Sequence, residues 1–211
     1  LDYVFSDFNR DQIGKVYSGH NSSYGEVWWF YPSKNSTTND RYVIYNYQEK
    51  LWYFGTLNRT AWVDRGINQY PIAASTDNKL YYHEFGQDDG STNPPSAISA
   101  NVESSQMDIG DGDKFTLVRR VLPDITFRDS TNETPRVNMV VKTRNFPGVT
   151  FNETSSNQVA QSVSTPVELF TEQLHVRLRG RSFAFRVESD VTGVMWRLGT
   201  PRLDVRPDGR R

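Results

Sequence analysis

Bulky apolar side chains recur in short runs separated by polar, turn-forming stretches, and the runs differ in their period. Glu26-Val-Trp-Trp-Phe-Tyr31, Arg41-Tyr-Val-Ile-Tyr-Asn-Tyr47 and Lys50-Leu-Trp-Tyr-Phe-Gly55 carry large side chains at both odd and even positions. That pattern predicts strands covered on both faces. Pro32–Asp40 and Gln48-Glu49 separate them, so the three read as an antiparallel meander. Upstream, Asp7 to Tyr17 predicts one short helix capped by Asp7 and weakened by Gly14, followed by a polar turn over His20–Gly25.

A meander buried on both faces has the pattern of a β-propeller blade, in which each sheet is sandwiched between neighbours. The next candidate, Lys79-Leu-Tyr-Tyr-His-Glu-Phe-Gly86, matches Trp28-Trp29 at an offset of 53 residues through Tyr81-Tyr82, near the ~50-residue spacing of kelch-type blades. Two such units are fewer than the ~4–8 blades a propeller needs, so the expectation is of partial blades completed by further sequence. An aromatic-rich sandwich edge is the competing reading. Gln87 to Asn101 is polar and holds Pro94-Pro95, predicting a long loop and a boundary near residue 110. The expected division is therefore propeller-like blades over residues 1–110 and a β-sandwich-like antiparallel unit over 111–211, an all-β chain.

In the second unit Lys114–Asp124 and Arg136–Arg144 read as strands around a Thr131–Pro135 turn, and Phe146–Pro166 as an exposed loop. The clearest alternation follows. Apolar residues occupy even positions in Leu174-His-Val-Arg-Leu-Arg179 and odd ones in Ser182-Phe-Ala-Phe-Arg-Val187. The phase flips across Gly180, which requires a bulge or turn there. A second flip separates Val194, Trp196 and Leu198 from Leu203 and Val205 across Gly199-Thr-Pro201. On these strands Arg177, Arg179, Arg186, Arg197, Arg202 and Arg206 fall on the opposite face, an arginine ladder with Glu188 and Asp204 interspersed.

Composition sharpens this picture at three points. The 24 basic and 25 acidic residues nearly cancel, which excludes a globally basic nucleic-acid binder, yet residues 174–211 hold nine arginines and no lysine against four acidic residues. Arginine's planar fork favours fixed pairing, so that end reads as a docking surface; intersubunit or intrachain pairing is favoured over phosphate contacts. Cysteine is absent, which excludes disulfides, thiol catalysis and thiolate metal sites. Aromatic residues reach 13%, and the five tryptophans, all within strands or tight motifs, are expected mainly in the core. The chain opens at Leu1 without a signal peptide, which reads as a fragment or processed product.

Candidate chemistry is sparse. His20, His83 and His175 lie in separate segments without ligand spacing, and Asp108-Ile-Gly-Asp-Gly-Asp113 lacks the spacing of a calcium loop and reads as a polar turn. No nucleotide or serine-nucleophile motif is present, so neither a metal nor a cofactor is expected. His83-Glu84 or Asp88-Asp89 are the candidates for a glycosidase acid and base, if the carboxylates face each other at ~5–9.5 Å. The sequons at Asn21, Asn35, Asn58, Asn132 and Asn152 are a mild excess for a chain rich in Asn, Ser and Thr. In Asn58-Arg-Thr-Ala-Trp-Val-Asp64 an Arg59–Asp64 pair over Trp62 is expected to lock the crossover to the next blade.

Several strings together resemble one family. Gly25–Pro32, Tyr42–Tyr47, Trp52–Leu57, Arg59–Asp64, His83-Glu84, Arg179-Gly180-Arg181, Val187–Asp190, Trp196–Gly199 and Arg202–Gly209 occur in the order seen in the C-terminal half of tail hub or nozzle proteins of short-tailed bacteriophages, often called packaged-DNA stabilisation proteins. The resemblance implies a non-enzymatic virion component assembled in the host cytoplasm. It implies a β-propeller and a sandwich-like portion, a hexameric ring below the portal and adaptor rings, and contacts with fibres, spikes or a plug. It also implies a share in the channel that retains and conducts double-stranded DNA. Structural or interface roles then fall to Arg59, Trp62, Asp64, Arg177, Arg179, Gly180, Arg181, Arg186, Trp196, Arg197, Arg202 and Asp204. The second reading is a propeller or sandwich module that binds or cleaves cell-surface glycan, which would present exposed Trp or Tyr beside carboxylates.

Overall fold

A computed structural model of the chain describes residues 2–108, 112–146 and 160–209. These form an all-β structure of several antiparallel sheets, none closed, in two compact units, Leu1–Gly86 and Gln87–Arg211. The sequence places the boundary near residue 110, but Ala100–Glu103 and Met107–Asp108 pair with Ser182–Ser189 and so belong to the second unit.

In the first unit a short helix, α1 (Asp2–Ser6), and a 3-10 turn over Arg10–Lys15 replace the single helix expected from Asp7. Asn9 caps the 3-10 turn, its side chain accepting from the Asp11 amide. Four strands follow, β1 (Tyr17–Asn21), β2 (Glu26–Tyr31), β3 (Arg41–Asn46) and β4 (Leu51–Thr56), hydrogen-bonded in that order. The meander thus has one strand more than expected, because β1 forms where the sequence suggested a helix end and a turn. The β5 (Ala61–Val63), β6 (Ile72–Ala74) and β7 (Leu80–Tyr82) strands form a second sheet. The 53-residue offset pairs the second strand of one sheet with the last strand of the other, so the shared aromatic doublet does not mark equivalent positions.

Register divides the first sheet into two faces. Tyr17, Trp28, Phe30, Tyr42 and Ile44 share one face with Gly19, and Trp62 of β5 packs on it to make the core of this unit. The other face carries Val27, Trp29, Val43, Tyr45, Trp52 and Phe54, none of them buried, and Tyr31, which is buried where Phe8 packs on it; Tyr3 of α1 packs on Phe54 with ring centroids 4.1 Å apart. Trp52, expected in the core, is 61% exposed, its ring resting on Tyr45 and Trp29. In the second sheet Trp62, Ala73 and Tyr81 share the inner face, while Val63, Ile72, Leu80 and Tyr82 share the outer one, with Leu80 74% exposed.

The second unit opens with a hairpin of β8 (Asp88–Asp89) and β9 (Ser96–Ala97) within the stretch expected as loop. It continues through β10 (Ala100–Glu103), β11 (Met107–Asp108), β12 (Thr116–Leu122), β13 (Ile125–Thr126), β14 (Arg136–Arg144), β15 (Ala160–Glu168), β16 (Leu174–Gly180), β17 (Ser182–Ser189), β18 (Arg197–Leu198) and β19 (Arg202–Pro207). Sheet order is β10-β17-β14-β15, with β11 also on β17, and separately β16-β12-β19. Apolar residues of both sheets, among them Val118, Val121, Met139, Val141, Val176, Leu178, Phe183 and Val187, form one core. Residues 160–166, expected as loop, belong to β15, whose full length pairs with β14. The rest of that expected loop, from 147 to 159, and residues 109–111 of the Asp108–Asp113 turn lie outside the described residues.

Gly180 marks the passage between the two sheets rather than a kink within one strand, since β16 pairs with β12 and β17 with β14. A Cβ there would sit 2.7 Å from Thr143 Cβ and 3.1 Å from the Arg144 carbonyl oxygen, so the close approach of β14 requires glycine. The phase flip read from sequence is this change of sheet.

Candidate functional site

The densest assembly of polar and aromatic side chains in the first unit lies along the seam between its two sheets. Trp62 enters it from β5 and stacks on Trp28 at 5.0 Å between ring centroids, with Phe30 at 5.9 Å and His83 at 4.7 Å. Gly19 makes room: a Cβ there would lie 2.6 Å from Trp62 Cδ1. The indole Nε1 donates to the His20 carbonyl at 2.9 Å, so the ring is fixed by stacking and by a backbone bond.

Arg59 and Asp64 flank Trp62 without pairing. The Arg59 guanidinium lies 4.6 Å from the Tyr81 ring centre, and its Nε donates to His83 Nε2 at 2.9 Å. Asp64 accepts instead from the Ser22 amide at 3.2 Å and the Arg65 amide at 2.7 Å, with His20 Nδ1 at 3.4 Å. Burial alone would push its carboxyl up, but these hydrogen bonds and the nearby imidazole outweigh that and hold it below the usual range. The pair expected from sequence is thus replaced by two separate anchors, one to β1 and one to the end of β7.

Burial, and secondarily the Arg59 charge, push His83 down to about 4, so the ring is neutral near pH 7. Accepting at Nε2 places its proton on Nδ1. Beside it, Glu84 stands in the left-handed region at φ 58°. The buried Asn21 amide donates through Nδ2 to Glu84 Oε1 at 3.1 Å and to Glu26 Oε2 at 3.4 Å, and Trp28 Nε1 also donates to Glu26 Oε2 at 3.0 Å. Burial first, then the Glu26 charge, raise the Glu84 carboxyl, with the Asn21 bond opposing. Two carboxylates therefore share one amide, one anchored by an indole and the other raised above the usual carboxylate range by its burial. Sequence pointed to His83-Glu84 but not to Glu26 or Asn21, because no spacing links β1 and β2 to the end of β7 before the sheets stack.

The other carboxylates proposed as acid and base have local duties. Asp88 accepts from the Gly193 amide at 2.8 Å, and Asp89 from the Ser91 amide at 2.9 Å. Among the described residues no three His, Asp or Glu side chains are grouped to hold a metal ion, and no helix is long and apolar enough to cross a membrane.

The arginines of the second unit are spread over three sheets rather than one ladder. Arg186 joins a chain of charges across β10, β17 and β14: its Nε meets Glu188 at 2.6 Å, its Nη1 meets Glu103 at 3.3 Å, and Lys142 Nζ meets Glu103 at 2.7 Å. Burial pushes Glu103 up, but the Lys142 and Arg186 bonds prevail and its carboxyl lies below the usual range. Arg179 rests on the Phe115 ring and pairs with Asp208, and Arg181 donates to the Asp113 carbonyl at 2.8 Å. Arg197 lies in the two-residue β18, apart from the others, and Trp196 packs half-buried against the core. Arg177, Arg202 and Asp204 lie on the outer face of β16-β12-β19, where Arg120 pairs with Asp204 at 3.5 Å. Compared with known proteins, the chain matches no family model and no curated protein.

Proposed function

We propose that the chain is a structural subunit whose first unit consists of two successive β-propeller blades and whose second is a β-sandwich. The observation that carries this reading is the stack of two sheets in Leu1–Gly86, apolar on both outer faces. One presents Trp52 and Phe54, the other Leu80 and Tyr82, all exposed. A two-layer domain complete in itself carries polar outer faces, whereas sheets inside a stack are apolar on both. The seam agrees with such a role, since Arg59, Trp62, Asp64 and His83 are engaged with one another or with neighbouring backbone.

More particularly, the resemblance of Gly25–Pro32, Arg59–Asp64 and Trp196–Gly209 supports a place in the nozzle or hub ring of a short-tailed bacteriophage tail. There the chain is one of a ring of copies, a hexamer in this reading, that meets adaptor and appendage proteins and forms part of the passage for double-stranded DNA. Electron microscopy of the native particle containing this chain tests the assignment. A ring with a central channel on a virus tail is expected, and isolated monomers away from any virion refute it.

The carboxylate pair Glu26 and Glu84 favours a second reading, a glycan-directed module. A polysaccharide binding and hydrolysis screen with the native chain and its Glu84→Gln variant decides it: cleavage lost in the variant supports the reading, and neither binding nor cleavage by the native chain removes it.

A further inference from the structure

The outer face of the β16-β12-β19 sheet is built of arginines, and its composition follows from register. Leu174, Val176 and Leu178 of β16 and Val118 and Val121 of β12 are buried in the core, so the alternate positions His175, Arg177 and Arg179 face outward. Pairing against both neighbours shifts between Val118 and Arg120, which lets two valines three residues apart both reach the core and leaves Arg119 exposed beside Arg120. On β19, Arg202, Asp204 and Arg206 lie on the same outer face, opposite Leu122, Arg120 and Leu117.

Two of these arginines are occupied within the fold: Arg120 by Asp204 and Gln173, and Arg179 by Asp208. Arg119, Arg177, Arg202 and Arg206 are exposed and have no side-chain partner among the described residues. Four unmet guanidinium groups thus stand on one sheet face, interleaved with the partly exposed Leu117 and Leu122.

We propose that this face is a docking surface for a protein partner that presents spaced carboxylates. Charge complementarity selects an anion, and the built-in aspartates select its form. Asp204 lies between Arg202 and Arg206 on β19, about 7 Å from each along the strand. That is within the ~8 Å screening length at physiological salt, so a uniformly charged phosphate backbone laid along the strand meets repulsion at its middle. Separate carboxylates can pair with Arg177, Arg202 and Arg206 and leave Asp204 to Arg120. Guanidinium groups take carboxylates in two parallel hydrogen bonds and shed water more readily than ammonium groups. Arginine among apolar side chains, with lysine absent, is also the composition of interface centres. The inference rests on the second unit alone and holds whether or not the chain belongs to a phage tail.

The test uses the full chain and two labelled probes read by fluorescence anisotropy across a salt series: a short peptide alternating Glu and Thr, and a DNA duplex of similar length. The peptide is expected to bind, with affinity falling as salt rises. The triple variant Arg177→Gln, Arg202→Gln, Arg206→Gln should weaken it about tenfold, while Arg128→Gln, an exposed arginine elsewhere in this unit, leaves it unchanged. Circular dichroism and the thermal midpoint of the triple variant should match the native chain, since the replaced side chains carry no internal pair. Absence of peptide binding, equal binding by the triple variant, or tighter binding of the duplex through the same arginines each overturns the proposal.

Discussion

Trp62 and Gly19 show how one side chain sets the requirements of its neighbours. The indole occupies the space where any larger residue on β1 would place its Cβ, and its stacking orders Trp28 and His83. The consequence for His83 is measurable. Its folded value of about 4 lies below the ordinary 6.5, so the unfolded chain takes up a proton at a pH where the folded chain does not. The stability this gives is complete above pH 6.5 and is lost as pH falls toward 4, by at most ~3 kcal/mol. Glu84 acts in the opposite sense, because its raised carboxyl favours the fold on the acid side and that contribution is lost as pH rises through its folded value. Urea unfolding at stepped pH should therefore show a shallower acid loss for His83→Gln, which keeps an acceptor for Arg59 but does not titrate. The same slope in both proteins would refute the assignment.

Among the elements, period-2 alternation is legible in β14, β16 and β17, but not in β15, where Val163 and Val167 reach the core from a stretch rich in Ser and Thr. The expected strand Arg136–Arg144 is β14 to the residue, and the strands expected from Leu174 and from Ser182 match the starts of β16 and β17. The β1 strand was not legible, because Tyr-Ser-Gly-His-Asn has no apolar repeat; its place is set by pairing with β2 and by the space Trp62 needs. The phase flip at Gly180 announced a change of direction, but whether as a bulge or as a passage between sheets depended on which strands lay alongside. The structure makes a definite claim there. Gly180→Val should destabilise the chain by ~1–3 kcal/mol, since its side chain meets β14 backbone that cannot move without breaking the ladder. A thermal midpoint unchanged in that variant contradicts the packing described.

For the whole molecule, the apolar outer faces of the first unit carry the largest consequence. If they are covered in the assembly and not in the isolated chain, Leu80→Lys should leave the thermal midpoint of the isolated chain within ~2 °C, while Trp52→Lys, which gives up its ring contacts with Tyr45 and Trp29, should lower it by only a few degrees. On the proposed ring assignment, both should reduce ring formation, as read by electron microscopy or sedimentation. Variants that assemble as well as the native chain count against stacked neighbours on these faces. The sequence by itself determined an all-β chain, several of its longer strands and the concentration of arginine toward its end, because side-chain period and composition are local properties. It also singled out Arg59, Trp62 and Asp64 as a lock on a crossover and, separately, His83-Glu84 as a candidate acid and base, without joining the two. Tertiary structure alone decided that Asp64 turns to Ser22 rather than Arg59, that Glu26 joins Glu84 through Asn21, and that the arginines divide between sheets. It also moved the boundary to Gly86, since strand pairing joins residues far apart in the chain and leaves no mark in either segment read alone.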